Sequence, residues 1–203
     1  MNPKVNEILQ RIRELEAELE TELESRREAL HVRFEHHRVH FEHEILQRQR
    51  QFRVGLLEYI GRAELRNIAT APVIYGMIVP LALVDIFVTL YQFLCFPMYR
   101  IEKVSRRDYM AFDRRHLAYL NAIEKFHCTY CSYANGLAAY VKEIIARTEQ
   151  YWCPIRHARR LLQTHSHYGQ FVDYGDAEAY RKEADSLRNA LHKRASRRGR
   201  KHS

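Results

Sequence analysis

Apolar positions in the first thirty residues recur at steps of three and four. Val5, Ile8, Ile12, Leu15 and Leu19 follow that rule, Leu23 comes four later and Leu30 seven after that. This short heptad pattern, with an irregularity near Leu23, predicts a long amphipathic, coiled-coil-like helix. The run ELEAELETELESRRE sets glutamates between the apolar positions. A solvated helix accounts for the pattern; self-association through residues 5–30, or capture of a partner helix, accounts for its apolar seam as well. Phe34, Phe41 and Ile45 prolong the stripe, so residues 1–71 are expected to form one long helical region. His36, His40 and His43, within a histidine-rich stretch that begins at His31, make a second stripe at four and three. With Glu35 and Glu44 nearby they could chelate a metal or form a pH-sensitive contact. Histidines on such a helix more often face solvent or rim a packing seam.

Residues 72–97, PVIYGMIVPLALVDIFVTLYQFLCFP, carry Asp85 as their sole formal charge. At about 1.5 Å per residue the run is long enough to cross a hydrocarbon core of about 30 Å. The alternative is a buried helix of a large core, which the polar remainder of the chain does not easily provide. Pro80 divides the run, giving either a kinked span or a re-entrant hairpin turning near Gly76 and Pro80. Both flanks are basic, with Arg62 and Arg66 before and Arg100, Lys103, Arg106 and Arg107 after, so orientation rests on the denser C-terminal charge. Asp85 is costly against lipid and is expected to pair, face protein or carry a proton. It could fix helix packing or handle a proton or substrate.

Residues 98–192 read as a small helical domain. Leu117, Leu120, Ile123 and Phe126 predict a helix over 108–127; Leu137, Val141, Ile144 and Ile145 predict another over 132–151. Pro154 can open a third, where its missing donor costs nothing. Asp173 or Asp176 can cap a last helix through residue 192 or so. Residues 193–203 are expected to be a basic disordered tail, and no strands are expected. The fold class is therefore all-α: a long N-terminal helix, one membrane segment and a small helical metal-binding domain.

Composition sharpens this outline. Only 7 glycines and 5 prolines occur in 203 residues, which favours long helices. The net charge of +8 is uneven. Residues 1–71 hold 12 Lys or Arg against 13 Asp or Glu, whereas residues 98–203 hold 21 against 11. The C-terminal excess suits anionic lipid, nucleic acid or an acidic partner. Nucleic acid is the least economical, because the aromatics sit at helix-packing spacings rather than interleaved with a basic surface. The first thirty residues lack the apolar core and cleavage site of a signal peptide, so the cysteines are expected in a reducing compartment unless the membrane segment exports them.

Three of the four cysteines carry the candidate chemistry. Cys128 and Cys131 form a CxxC pair, and Cys153 lies four residues ahead of His157 in CPIRH. Together they would supply three thiolates and one imidazole to a tetrahedral zinc. An iron–sulfur cluster and a thiol redox pair are the rivals. The bland alternative is that the cysteines pack as small apolar groups among Tyr130, Tyr133, Tyr151 and Trp152. Cys95 falls in the membrane segment and reads as packing.

The stretches HCTYCSYANG and EQYWCPIRHARR resemble a family of short bacterial proteins with no assigned activity. The resemblance covers residues 72–160 and rests on His127, Cys128, Cys131, Tyr133, Asn135, Gly136, Glu149, Tyr151, Trp152, Cys153, Pro154 and His157. It implies a bacterial inner-membrane setting and no chemistry; the denser C-terminal basic charge is what puts the C-terminal domain in the cytoplasm as an expectation.

Two functions compete. One is a membrane-anchored, metal-binding docking or structural subunit of a membrane complex. The other is a membrane enzyme acting on an anionic lipid or phosphorylated substrate. For the enzyme, Asp113 and His116 would meet on a helix face, Arg114 and Arg115 would bind phosphate and His127 would reach the same cleft. A basic interfacial helix explains the same residues without catalysis. No nucleophile elbow, HExxH, dinucleotide fingerprint or phosphate-cradling glycine loop occurs.

Overall fold

A computed structural model describes residues 3–29, 32–35, 38–41, 43–62 and 64–199. The chain is mostly helical. Helix α1 spans Pro3–Ala29, strands β1 and β2 span Val32–Glu35 and Arg38–Phe41, and α2 to α5 span His43–Gln51, Leu56–Gly61, Leu65–Gly76 and Ile78–Met98. Short 3₁₀ turns at Arg106–Asp108 and Asp113–His116 lead to α6, Ala122–Trp152. A further turn at Tyr168–Gln170 precedes α7, Ala177–Gly199. Two compact units draw on non-contiguous stretches: one uses residues 1–9, 80–109 and 137–203, the other residues 10–79 and 110–136.

The expected helix through residues 31–51 is interrupted. β1 and β2 pair antiparallel, with Val32 opposite Phe41 and Phe34 opposite Val39. The β-branched and aromatic content of VRFE and RVHF favours a pleated pair over helix. The histidine stripe therefore does not form on one helix: His40 lies in β2, His43 opens α2, and His31 and His36 lie outside the described residues.

The apolar run forms α4 and α5, separated by Met77 alone. Pro80 has no N–H to offer the carbonyl of Gly76, so the helical ladder breaks there. Met77 keeps right-handed dihedrals (φ −61°, ψ −15°), and its N–H turns to Ile74 O at 3.3 Å. A helical hairpin needs a loop of about two to five residues. None is present at this junction, so the run is an interrupted helix and not a hairpin turning at Gly76 and Pro80.

α5 ends in a Schellman turn. Arg100 N–H bonds Pro97 O at 3.2 Å and Ile101 N–H bonds Phe96 O at 2.8 Å. Arg100 takes the left-handed conformation (φ 53°) that glycine usually fills. Buried Phe96 and Ile101 provide the hydrophobic contact typical of this motif.

The helix expected over 108–127 is absent, and α6 is one helix where two were expected. A capping box starts it: Glu124 N–H donates to Asn121 Oδ1 (3.0 Å), and Asn121 N–H donates to Glu124 Oε2 (2.8 Å). The helix expected after Pro154 is also absent. Pro154 is buried, its carbonyl accepts Val172 N–H (2.9 Å), and Arg156 N–H donates to Val172 O (2.7 Å), which holds the segment extended in an isolated bridge. α7 begins as expected, with Asp176 Oδ1 accepting Ala179 N–H at 2.8 Å. It continues to Gly199, beyond the residue-192 end expected for it.

Candidate functional site

Cys128 and Cys131 lie on α6, and Cys153 follows its last residue. From Cys131 to Cys153 the helical rise is roughly 33 Å, whereas zinc–sulfur bonds are about 2.3 Å. The fold therefore does not bring Cys128, Cys131, Cys153 and His157 to one ion. The physical reason is that the helix expected over 132–151 forms and runs on through Cys131 and Cys128, which sets the two motifs toward opposite ends of α6. Among the described residues, no group of three or more His, Cys, Asp or Glu is arranged to hold a metal. His157 stacks on Tyr168 at 6.2 Å, and its N–H donates to the Tyr168 hydroxyl at 2.7 Å. Cys153 is exposed, as is Cys131. Cys153→Ser is accordingly expected to change the unfolding free energy by no more than about 0.5 kcal/mol. A chemical-denaturation curve checks this; the collapse expected on losing a structural zinc ligand would restore the metal reading.

Asp113 and His116 share an exposed 3₁₀ turn but do not bond to each other. Asp113 Oδ1 accepts the Arg114 N–H at 2.9 Å, and His116 Nε2 faces Arg115 Nε at 3.4 Å. His127 instead pairs through Nε2 with the Tyr75 hydroxyl, and Tyr130 donates to Ile74 O at 2.8 Å. These contacts seat α4 on the start of α6. Beside them lies an open cavity of about 560 Å³, bordered by Tyr59, Ile68, Tyr75, Ile123 and His127.

α5 has two chemically different faces. Asp85, Gln92 and Phe96 are buried on one side, at 8%, 6% and 0% exposure. Asp85 receives both guanidinium nitrogens of Arg106, at 2.8 and 2.7 Å, and Thr89 donates to it at 3.3 Å. Gln92 Oε1 accepts Val104 N–H (2.5 Å) while its Nε2 reaches Val104 O (3.3 Å) and the Tyr140 hydroxyl (2.9 Å). Tyr91 bonds Thr148 at 3.0 Å. Residues 101–106 thus run back along α5, and α6 packs beside it. The other face exposes Leu83, Ile86, Phe87, Leu90, Phe93 and Leu94.

Charge placement limits how α5 can meet lipid. Lys103 Nζ stands 4.5 Å from the Phe93 ring centroid, and Arg106 holds Asp85. Along the axis, Asp85 and Phe93 lie roughly 4 and 8 Å from the midpoint of Ile78–Met98. Were α5 by itself the span, Lys103 and the Asp85–Arg106 pair would lie within the hydrocarbon, where charged groups are costly unless paired or able to reach the interface. Only the outward face avoids that penalty.

A buried polar network organises the other side of α6. Glu143 Oε1 accepts Arg147 Nε at 2.8 Å and His167 Nε2 at 3.1 Å. Arg147 also donates to Glu102 O at 2.7 Å. Gln150 Nε2 donates to Leu187 O at 2.8 Å, which turns its Oε1 toward His167 Nδ1 at 2.5 Å. Both nitrogens of the His167 ring therefore face side-chain oxygens. Burial works to raise the Glu143 carboxyl, but hydrogen bonds from His167 and Arg147 prevail and hold it at about 2. His165 donates through Nε2 to Glu149 at 2.8 Å, and its buried Nδ1 has no hydrogen-bond partner among the described residues. Burial pulls its pKa below 6.5 against the opposing pull of Glu149. Sequence reasoning missed this network. The i,i+4 pair Glu143/Arg147 and the alternation His165-x-His167 were its visible traces.

EQYW thus acts structurally. Glu149 and Gln150 grip the two histidines, Tyr151 O accepts Arg188 Nε at 2.8 Å, and Tyr151 and Trp152 pack on Tyr99. No family model matches this sequence, and comparison with curated proteins and with solved structures finds no match. The geometry alone carries the functional reading.

Proposed function

We propose that this protein is a membrane-anchored helical platform, a structural or docking subunit of a membrane complex. One observation carries the reading. The run Leu65–Met98 is long and apolar enough to cross a membrane, and only 6% of its most apolar window is buried within the chain. A core helix of a soluble protein would be mostly covered. The polar contacts of Asp85 and Gln92 lock that run to a folded unit, which suits a rigid anchor. Ile8, Ile12, Leu15 and Leu19 of α1 are exposed at coiled-coil spacing, a surface for a partner helix or a second copy. The basic C-terminal portion favours the anionic cytoplasmic leaflet of a bacterial inner membrane.

Fractionation tests the proposal. The full chain is expected to sediment with membranes, to resist washing with high salt and alkaline carbonate, and to be released by detergent. Recovery as a soluble monomer without detergent would overturn it.

A further inference from the structure

The two-faced character of α5 bears on how such an anchor enters a bilayer. Its inward face is committed to Arg106, Val104, Tyr140 and Thr148. Its outward face presents Ile86, Phe87, Leu90, Phe93 and Leu94, with no cover among the described residues. Lys103 stands over Phe93 of that face, and Arg100 and Arg107, both exposed, flank it in the segment that follows the helix. At its C-terminal end, Tyr99 packs edge-on against Trp152, ring centroids 5.4 Å apart, and Trp152 is 53% exposed. Amphipathic rings of this kind settle at the membrane–water boundary.

We propose that α5 lies in one leaflet, its apolar face in the acyl region and Lys103 and Arg107 on anionic lipid headgroups, so that the chain enters and leaves the membrane from one side. This rests on the membrane reading above and specifies its mode. Length by itself allows a span, but the cations fixed beside the middle of α5 do not fit a fully lipid-surrounded helix. An in-plane helix keeps them at headgroup level, where anionic lipid attracts them. The same cations disfavour a second copy as the cover, because a homotypic contact would set Lys103 and Arg107 near their own like charges.

The test adds purified full chain, diluted from detergent, to sealed vesicles of phosphatidylcholine with or without phosphatidylglycerol. Co-flotation is expected with the anionic vesicles. External trypsin is expected to cut both α1, at Arg11, Arg13 or Arg26, and α7, at Arg181 or Lys182. No terminal fragment should need detergent to become accessible. The single tryptophan, Trp152, should be quenched most by lipids brominated high on the acyl chain. The double variant Lys103→Glu, Arg107→Glu is expected to bind anionic vesicles at least about thirtyfold more weakly with an unchanged thermal melt. Protection of either terminal portion until vesicles are opened would establish a span and overturn the one-leaflet mode while leaving the anchor intact. Equal binding to neutral vesicles, or indifference to the double substitution, would overturn the headgroup contact. A chain that ignores all vesicles and forms a dimer would sink the membrane reading as well.

Discussion

Glu143→Ala is expected to lower the unfolding free energy of the detergent-solubilised chain by about 3 kcal/mol at neutral pH. The carboxylate lies between Arg147 and His167, and its side chain is only 13% exposed. Its removal takes a shared acceptor away from the Arg147 guanidinium and from His167 Nε2. Such orphaned groups cost more than the pair contributes. Glu143→Gln keeps one acceptor oxygen and is expected to recover about 1 kcal/mol of that loss. The pH dependence has a defined direction. With a folded-state pKa of about 2 against an ordinary 4.5, Glu143 contributes stability that is complete above about 4.5. That contribution, about 3 kcal/mol, disappears as the pH falls toward 2. His165 adds a separate loss that begins lower on the scale than neutrality: its neutral form is the one the fold prefers, so acidification below 6.5 charges it preferentially in the unfolded chain. Urea titrations at stepped pH should show the lower limb in the parent chain and its absence in Glu143→Ala. A parental stability that stays level from pH 4.5 to 2 would contradict the network described here.

The features legible in advance were those governed by local periodicity. The heptad of Ile8, Ile12, Leu15 and Leu19 became α1, the apolar run became α4 and α5, and Asp176 capped α7. Asp85 pairs with Arg106, one of the outcomes expected for it. Errors arose where nonlocal contacts decide. Leu117, Leu120, Ile123 and Phe126 repeat at three, short of the 3.6 of an α-helix, and Leu117 is extended (φ −67°, ψ 119°) before the Asn121 capping box. The interval between the cysteine motifs was itself expected to be helical over 132–151, and ANGLAAYVKEIIARTE, which no proline interrupts, forms that helix. Chemistry expected of the cysteines was therefore inferred from residue type without the path between them. Conversely, His165 and His167 lie in a loop with no periodic signal, and their role depends on Glu143, Glu149 and Gln150 arriving from α6.

Phe96→Ala and Phe87→Ser should separate the two faces of α5 by opposite readouts. Phe96 is fully buried, packs its ring edge-on to Tyr91 at 5.9 Å, and closes the Schellman turn through its carbonyl. Truncation there should cost about 3–5 kcal/mol, the range for a large core aromatic. Phe87 is 67% exposed on the outward face. Serine at this position should shift the unfolding free energy in detergent by no more than about 0.5 kcal/mol, yet weaken attachment to vesicles because an apolar group leaves the lipid contact. The contrast matters more than either number. A single apolar helix of uniform role would respond to both substitutions in the same assay. If Phe87→Ser destabilises the fold as much as Phe96→Ala, the outward face is covered by protein. If it alters neither stability nor vesicle binding, that face contacts nothing. Loss of vesicle binding without loss of stability is the result that joins the polar inward contacts of Asp85 and Gln92 to a lipid-facing outer surface on the same helix.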